Sequence, residues 1–287
     1  MYPSNKFWIM SDHMEFLVLW LINLRVWKAI DIKKLGGVKL PTLSCGQFQD
    51  VQYKMDGDCL VTYWEDNLTG LIEMGKYARE IFNRDIYQVS IGGEETDDYK
   101  RLIEWTMNTQ KSIEYFQFEN KKTPDEDFDY ILDNLKCTHS FFLSAKPSKN
   151  YRSAKPLVFN LKEIAICNSF WIKQRDLLGM NCKIITMHNS KLTSEDLNVF
   201  LKHWMTGGCS KLKMLHVSVE ESISLESVLD GVEFIERGDD VERLYFVDGD
   251  RNPDTIRGGF DVKQSNVTGT VFGQNLQNLK RFWMIVW

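Results

Sequence analysis

Between Ile113 and Phe246 an apolar triplet at positions i, i+3 and i+5 recurs six times, each copy accompanied by an amphipathic stretch. The triplets are Ile113/Phe116/Phe118, Thr138/Phe141/Leu143, Leu161/Ile164/Ile166, Cys182/Ile185/Met187, Leu212/Leu215/Val217 and Val241/Leu244/Phe246, with Ile86/Val89/Ile91 as a seventh. Their central residues recur at intervals of roughly 21 to 30 residues, the range of leucine-rich-type repeats. A chain built this way presents a surface.

The stretches between triplets read as helices. Thr193 caps the clearest one, with Asp196 three residues on, a stripe of Leu197, Phe200, Leu201 and Trp204, and Gly207-Gly208 as a stop. Thr123, Pro124 and Glu126 open a second, with Phe128, Ile131, Leu132 and Leu135 as its stripe. Ser224 opens a shorter third, and Tyr99 to Met107 gives an earlier one. Strands separated by helices pair in parallel. The pattern therefore predicts an α/β, leucine-rich-repeat-like solenoid with parallel strands on the concave side and helices outside. After Arg257-Gly258-Gly259 three short β-prone runs, the last ending at Trp287, predict a small C-terminal β meander that closes it.

Composition narrows the function. Apolar content of 43% and charged content of 26% in 287 residues are those of a folded globular chain. Thirty-five Lys and Arg against forty Asp and Glu leave a net charge of -5, and no basic block tracks a phosphate backbone, so nucleic acid is not an expected partner. Six scattered cysteines without a C-x-x-C pair fit a reduced, cytoplasmic or nuclear compartment. The apolar run Phe16 to Ile22 is too short for a membrane span, so no membrane partner is expected, and it reads as a buried helix.

Motifs for catalysis, metals or cofactors are not found. The five histidines lack an i, i+4 hydrolytic spacing, and no nucleophile elbow or phosphate-cradling loop appears, so no cofactor is expected. Asp248, Asp250, Asn252 and Asp254 alternate as in a calcium loop, but Pro253 and Gly259 stand where that loop needs glycine and glutamate. The residues between the triplet positions point out from the sheet. Among them Tyr115, Gln117, Phe142, Glu163, Thr186, His188, Met214, His216, Arg243 and Tyr245 form a mixed aromatic and polar set that suits a protein-binding concave face.

Leu192 to Gly208 followed by Leu212-Lys-Met-Leu resembles the type 2 F-box-associated region of the large nematode F-box families. Asn168-Ser-Phe-Trp-Ile, Leu177 to Cys182, Gly258-Gly-Phe-Asp-Val and Phe282 to Trp287 are similar to the same pattern, and Met14 to Lys28 resembles the later half of an F-box. The resemblance implies a divergent F-box-like helical segment at 1–35 and an F-box-associated domain at 36–287. It implies a non-enzymatic substrate-recognition subunit of an SCF-type ubiquitin ligase. Its partners would be a protein target and a Skp-family adaptor with its cullin ligase, the adaptor held by Phe16, Leu17, Leu19, Trp20 and Leu24. The alternatives are a free-standing interaction protein or decoy without an adaptor, and a calcium-dependent enzyme using the Asp248 loop.

Overall fold

The computed structural model describes residues 7–10, 15–18, 22–28, 39–57, 59–91, 99–119, 123–246, 254–272 and 279–287. Its contacts divide the chain into two compact units, Met1–Ser148 and Lys149–Trp287.

The first unit contains β1 (Phe7–Met10), β2 (Glu15–Val18), β3 (Ile22–Lys28), β4 (Thr42–Cys45), β5 (Phe48–Asp56) and β6 (Cys59–Trp64). After these come α1 (Asn67–Phe82), β7 (Gln88–Ile91), α2 (Tyr99–Thr109), β8 (Ile113–Phe118), α3 (Asp125–Asn134) and β9 (Cys137–Leu143). Its strands run in the order β9-β8-β7-β1-β2-β3-β6-β5-β4. The strands β7, β8 and β9 are parallel neighbours, because a helix separates each from the next. From β1 to β3 and from β4 to β6 the connections are short, and successive strands turn back antiparallel. The helix expected over Phe16 to Ile22 is therefore replaced by the paired strands β2 and β3. The expected boundary at residue 35 lies outside the described residues.

The second unit contains β10 (Glu163–Ile166), α4 (Gln174–Leu178), β11 (Ile184–Ser190), α5 (Ser194–Met205), β12 (Met214–Ile223) and α6 (Leu225–Val228). It ends with β13 (Ile235–Tyr245), β14 (Asp254–Gln264), β15 (Val267–Phe272) and β16 (Leu279–Val286). The order is β13-β14-β15-β16-β12-β11-β10. On α5 the capping box forms as its sequence requires: Thr193 Oγ1 accepts from the Asp196 amide and the Asp196 carboxylate accepts from the Thr193 amide. Its apolar stripe is buried, and Trp204 lies against Gly269 of β15. On α3 the expected cap does not form. Pro124 is the residue before the helix, and the Thr123 hydroxyl is buried without a hydrogen-bond partner among the described residues.

This topology overturns the solenoid. Its parallel runs are short, and antiparallel strands make up much of both units, so the sheets are mixed and no repeat continues along the chain. The decisive pairing is β16 on β12, which fills the position where the next parallel repeat would have added. The last triplet consequently fails as a repeat. Val241 is half-buried and Leu244 and Phe246 are exposed, on or beside a strand whose only described neighbour is the antiparallel β14. The three C-terminal strands form as strands, but through β16 they extend the sheet instead of capping it. The other triplets do mark buried positions, apart from Thr138, which is exposed.

Candidate protein-binding face

The second unit carries the most developed group of outward-facing residues. Residues paired across neighbouring strands share a face. In one row Thr186 of β11 stands beside His216 of β12, His216 beside Trp283 of β16, and Trp283 beside Phe272 of β15. The His216 and Trp283 rings stack with centroids 3.9 Å apart and planes 17° from parallel. Phe272 stacks on Trp283 at 6.1 Å, and His188 meets His216 edge-on at 5.3 Å. Four strands thus present one aromatic row.

The neighbouring row runs Ile184, Met214, Ile285, Thr270, Asp261. Ile184, Met214 and Ile285 are buried with Ile256, and Tyr245, Phe272, Trp283 and Trp287 pack around them. Asp261, only 3% exposed, organises the far end. It accepts from Arg237 Nε at 2.8 Å, from both terminal nitrogens of Arg243 at 2.8 and 2.7 Å, and from the Thr270 hydroxyl at 2.7 Å. Trp287 Nε1 donates to Thr270 Oγ1, and the Arg243 guanidinium lies 5.4 Å from the Trp287 ring centre.

Electrostatics follow from this packing. Burial, then the neighbouring charges of His188 and Arg281, lower the His216 pKa to about 4, so the ring is neutral near pH 7. Its Nε2 is buried without a hydrogen-bond partner among the described residues. Burial alone would raise the Asp261 pKa, but the hydrogen bonds from Arg243, Thr270 and Arg237 outweigh it and hold the carboxyl well below the usual range. Burial pushes the Cys182 and Cys209 thiols up to about 11, which leaves them protonated and poorly nucleophilic.

Of the residues expected from the sequence, Glu163, Thr186, His188, Met214, His216, Arg243 and Tyr245 all fall in this unit. Glu163 shares the row of Ile184. Met214 and His216 are buried, covered by the chain's own C-terminal residues, so they support the face from beneath. Tyr245 packs on this cluster, and Arg243 reaches Asp261 and Trp287, from β13 and not from a strand beside β12. Tyr115, Gln117 and Phe142 lie in the first unit. There Tyr115 sits 4.7 Å from the rings of both Tyr87 and His139, Gln117 donates to Glu119 at 2.7 Å, and Gln117 and Phe142 are register partners. That unit also holds an open cavity of about 1230 Å³ with Arg79, Arg84, Glu80 and Glu114 on its walls, a lining of both charge signs.

Sequence reasoning missed Trp283, Phe272, Trp287 and Asp261. The signal was present in Phe282 to Trp287, where Phe282, Met284 and Val286 alternate with Trp283, Ile285 and Trp287. For the adaptor residues, Phe16 and Leu24 are register partners on β2 and β3, Leu17 is on β2, and Leu19 and Trp20 lie outside the described residues. Residues 247–253 of the calcium-like loop lie outside them too. Among the described residues no group of three metal-binding side chains is found, and no helix is long and apolar enough to cross a membrane.

On this unit an aromatic row and the hydrogen-bonded Asp261 cluster thus lie on one sheet. Residues 154–217, from the loop before β10 into β12, match the family model described as F-box associated. The chain thus carries an F-box-associated region, as the resemblance implied; that family is one of interaction regions and not a catalytic one. It is 24% identical over 191 residues to the Skn-1 dependent zygotic transcript 15 protein of Caenorhabditis elegans, an alignment covering 64% of this chain and 55% of that protein. It is also 31% identical over 72 residues to the E3 ubiquitin-protein ligase hecw-1 of Caenorhabditis elegans, covering 25% of this chain and 6% of that protein. No solved structure matches the chain.

Proposed function

We propose that the chain is a non-enzymatic recognition module that presents a protein target to an SCF-type ubiquitin ligase, using the β10–β12 face of its second unit. The observation that carries this reading is a coincidence of position. The F-box-associated match covers β10 and β11 and ends at Val217 on β12, the strands that supply Glu163, Thr186, His188 and His216. A mixed aromatic and polar surface over a rigid sheet is the composition that protein interfaces favour.

Two measurements test it. Co-elution of the chain with a purified Skp-family adaptor at micromolar concentration is expected, and its absence removes the ligase half. Affinity purification with the native chain, compared with a Thr186→Arg/His188→Ala variant, is expected to lose a discrete set of bound proteins. Identical recoveries would remove the assignment of this face.

One observation favours a second reading, a free-standing interaction protein or decoy. Met14 to Lys28, the segment resembling an F-box, contributes the strands β2 and β3 where an F-box-like segment would be helical. In that case the face binds its target while the adaptor does not co-elute.

A further inference from the structure

The geometry points to a carboxylate-reading subsite on the second unit: Arg281, Ser218 and His188, with His216 beneath them, take the side chain of an aspartate or glutamate in the bound protein target. The inference deepens the recognition reading above and rests on it for its biological use, although the binding is measurable by itself.

Three observations converge there. First, Ser218 of β12 and Arg281 of β16 are register partners, two residues along their strands from the pair His216 and Trp283 and so on the same face. His188 follows Met187, where β11 slips by one residue against β12, and its ring contact with His216 keeps it on that face. Arg281 is exposed, and Ser218 and His188 are half-buried. A guanidinium, a hydroxyl and an imidazole thus come from three adjacent strands.

Second, the charged donor is uncommitted. Among the described residues neither the Arg281 guanidinium nor the His188 ring makes a hydrogen bond or an ion pair. Residues 273–278, which precede β16 in sequence, include no Asp or Glu. Two residues along β12 from Ser218, the Glu220 carboxylate is turned to Lys191 at 3.8 Å. The charges of His188 and Arg281 both oppose protonation of His216, which marks an electropositive spot in a chain of net charge -5.

Third, His216 is left with an unmet bond. It is 8% exposed, and its buried Nε2 has no hydrogen-bond partner among the described residues, a state that folded proteins seldom keep without a reason. The stack on Trp283 fixes this ring, whereas His188, edge-on to it, has no side-chain hydrogen bond to stop it swinging aside.

Charge and spacing select the ligand. One guanidinium balances one carboxylate and can grip it in a bidentate pair, while a phosphate carries more charge than a single arginine offsets. Positions two apart on a strand are about 6.5 Å apart. A target segment lying along the strands with its acidic residue on Arg281 therefore sets the residue two positions away on Trp283 and Phe272, where an apolar side chain is favoured.

The test selects a displayed library of random peptides of about twelve residues, long enough to cross both rows, on the immobilised full chain. Recovered peptides are then titrated by fluorescence anisotropy. We expect Asp or Glu at one fixed position, with an apolar or aromatic residue two positions away. Binding should fall about tenfold or more in Arg281→Gln, or when the acidic residue is replaced by its amide. His216→Phe, which keeps the stack, should weaken it several-fold, and selection on Arg281→Glu should recover peptides with Lys at the acidic position. Far-UV circular dichroism checks the fold of each variant. Selection without an acidic position, no selection at all, or equal affinity in Arg281→Gln would overturn the subsite. Unchanged affinity in His216→Phe would remove that ring from it, and tighter binding of a phosphoserine version would overturn the assignment to a carboxylate. Loss of peptide binding in Arg281→Glu with target capture intact counts against this subsite alone; peptide binding without any target capture counts against the recognition reading.

Discussion

Replacing His216 by Phe should remove most of the chain's sensitivity to mild acid. The imidazole is 8% exposed, stacked on Trp283 and edge-on to His188, and its Nε2 is buried without a partner. Its folded pKa is lowered from 6.5 to about 4, chiefly by burial and then by His188 and Arg281. Between those values the unfolded chain binds a proton that the folded chain refuses. The folded state therefore loses stability as pH falls from 6.5 towards 4, and keeps it above 6.5. At about 1.4 kcal/mol per pH unit the loss is of the order of 3 kcal/mol when complete, and about 2 kcal/mol at pH 5. A Phe ring preserves the stack and takes away the buried nitrogen, whose desolvation costs about 1 to 3 kcal/mol. His216→Phe should thus be at least as stable as the native chain near pH 7. Equilibrium urea unfolding followed by tryptophan fluorescence, at about pH 7 and about pH 5, measures both quantities. A variant that loses as much stability at pH 5 as the native chain would refute the argument, because the acid loss would then arise elsewhere.

Asp261→Ala should cost about 3 kcal/mol near pH 7, the low end for a broken buried pair, because its two arginines keep partial access to water; the shift in urea midpoint reads it. Since the Asp261 pKa is depressed, the stability it supplies is present above about pH 4 and lost as pH falls below it, a window separate from that of His216. Gly179→Ala would drive a methyl group into the Leu157 carbonyl oxygen, a backbone atom, and should lose about 2 kcal/mol or more in the same assay. Thr193→Ala removes the hydroxyl that accepts from the Asp196 amide and should cost about 1 kcal/mol, with helical signal retained in circular dichroism.

The parts of this fold that were legible in the sequence are those fixed locally. The stripe and capping box of α5 lie within one continuous segment, and the triplets at β7, β8, β11 and β12 mark positions that are buried in or just before a short strand. The helix α1 escaped for an instructive reason. Its sixteen residues contain Gly70 and Gly75, which read as breakers, yet both are demanded by packing: a side chain at Gly70 would strike the Trp64 ring and one at Gly75 the Trp105 ring. Local pattern also cannot say which strand fills a vacant edge. Val241, Leu244 and Phe246 satisfy the triplet as well as Leu212, Leu215 and Val217 do, but the place beside β12 went to β16, from the end of the chain.

That one pairing links the fold to the face. Had the repeat continued, His216 would have faced a residue of the next parallel strand. Because β16 enters antiparallel, His216 faces Trp283, Met214 faces Ile285, and β15 and β14 follow with Phe272 and Asp261. Met214 and His216, expected as outward positions, meet residues that arrive from more than sixty residues later, in a register set by hydrogen bonding. The long-range pairing that ended the repeat also buried Met214 and His216 and gave the aromatic row its tryptophan. The displaced triplet residues, Leu244 and Phe246, remain exposed for the same reason. The aromatic row and the exposure of the last triplet are therefore two consequences of a single choice of neighbour for β12.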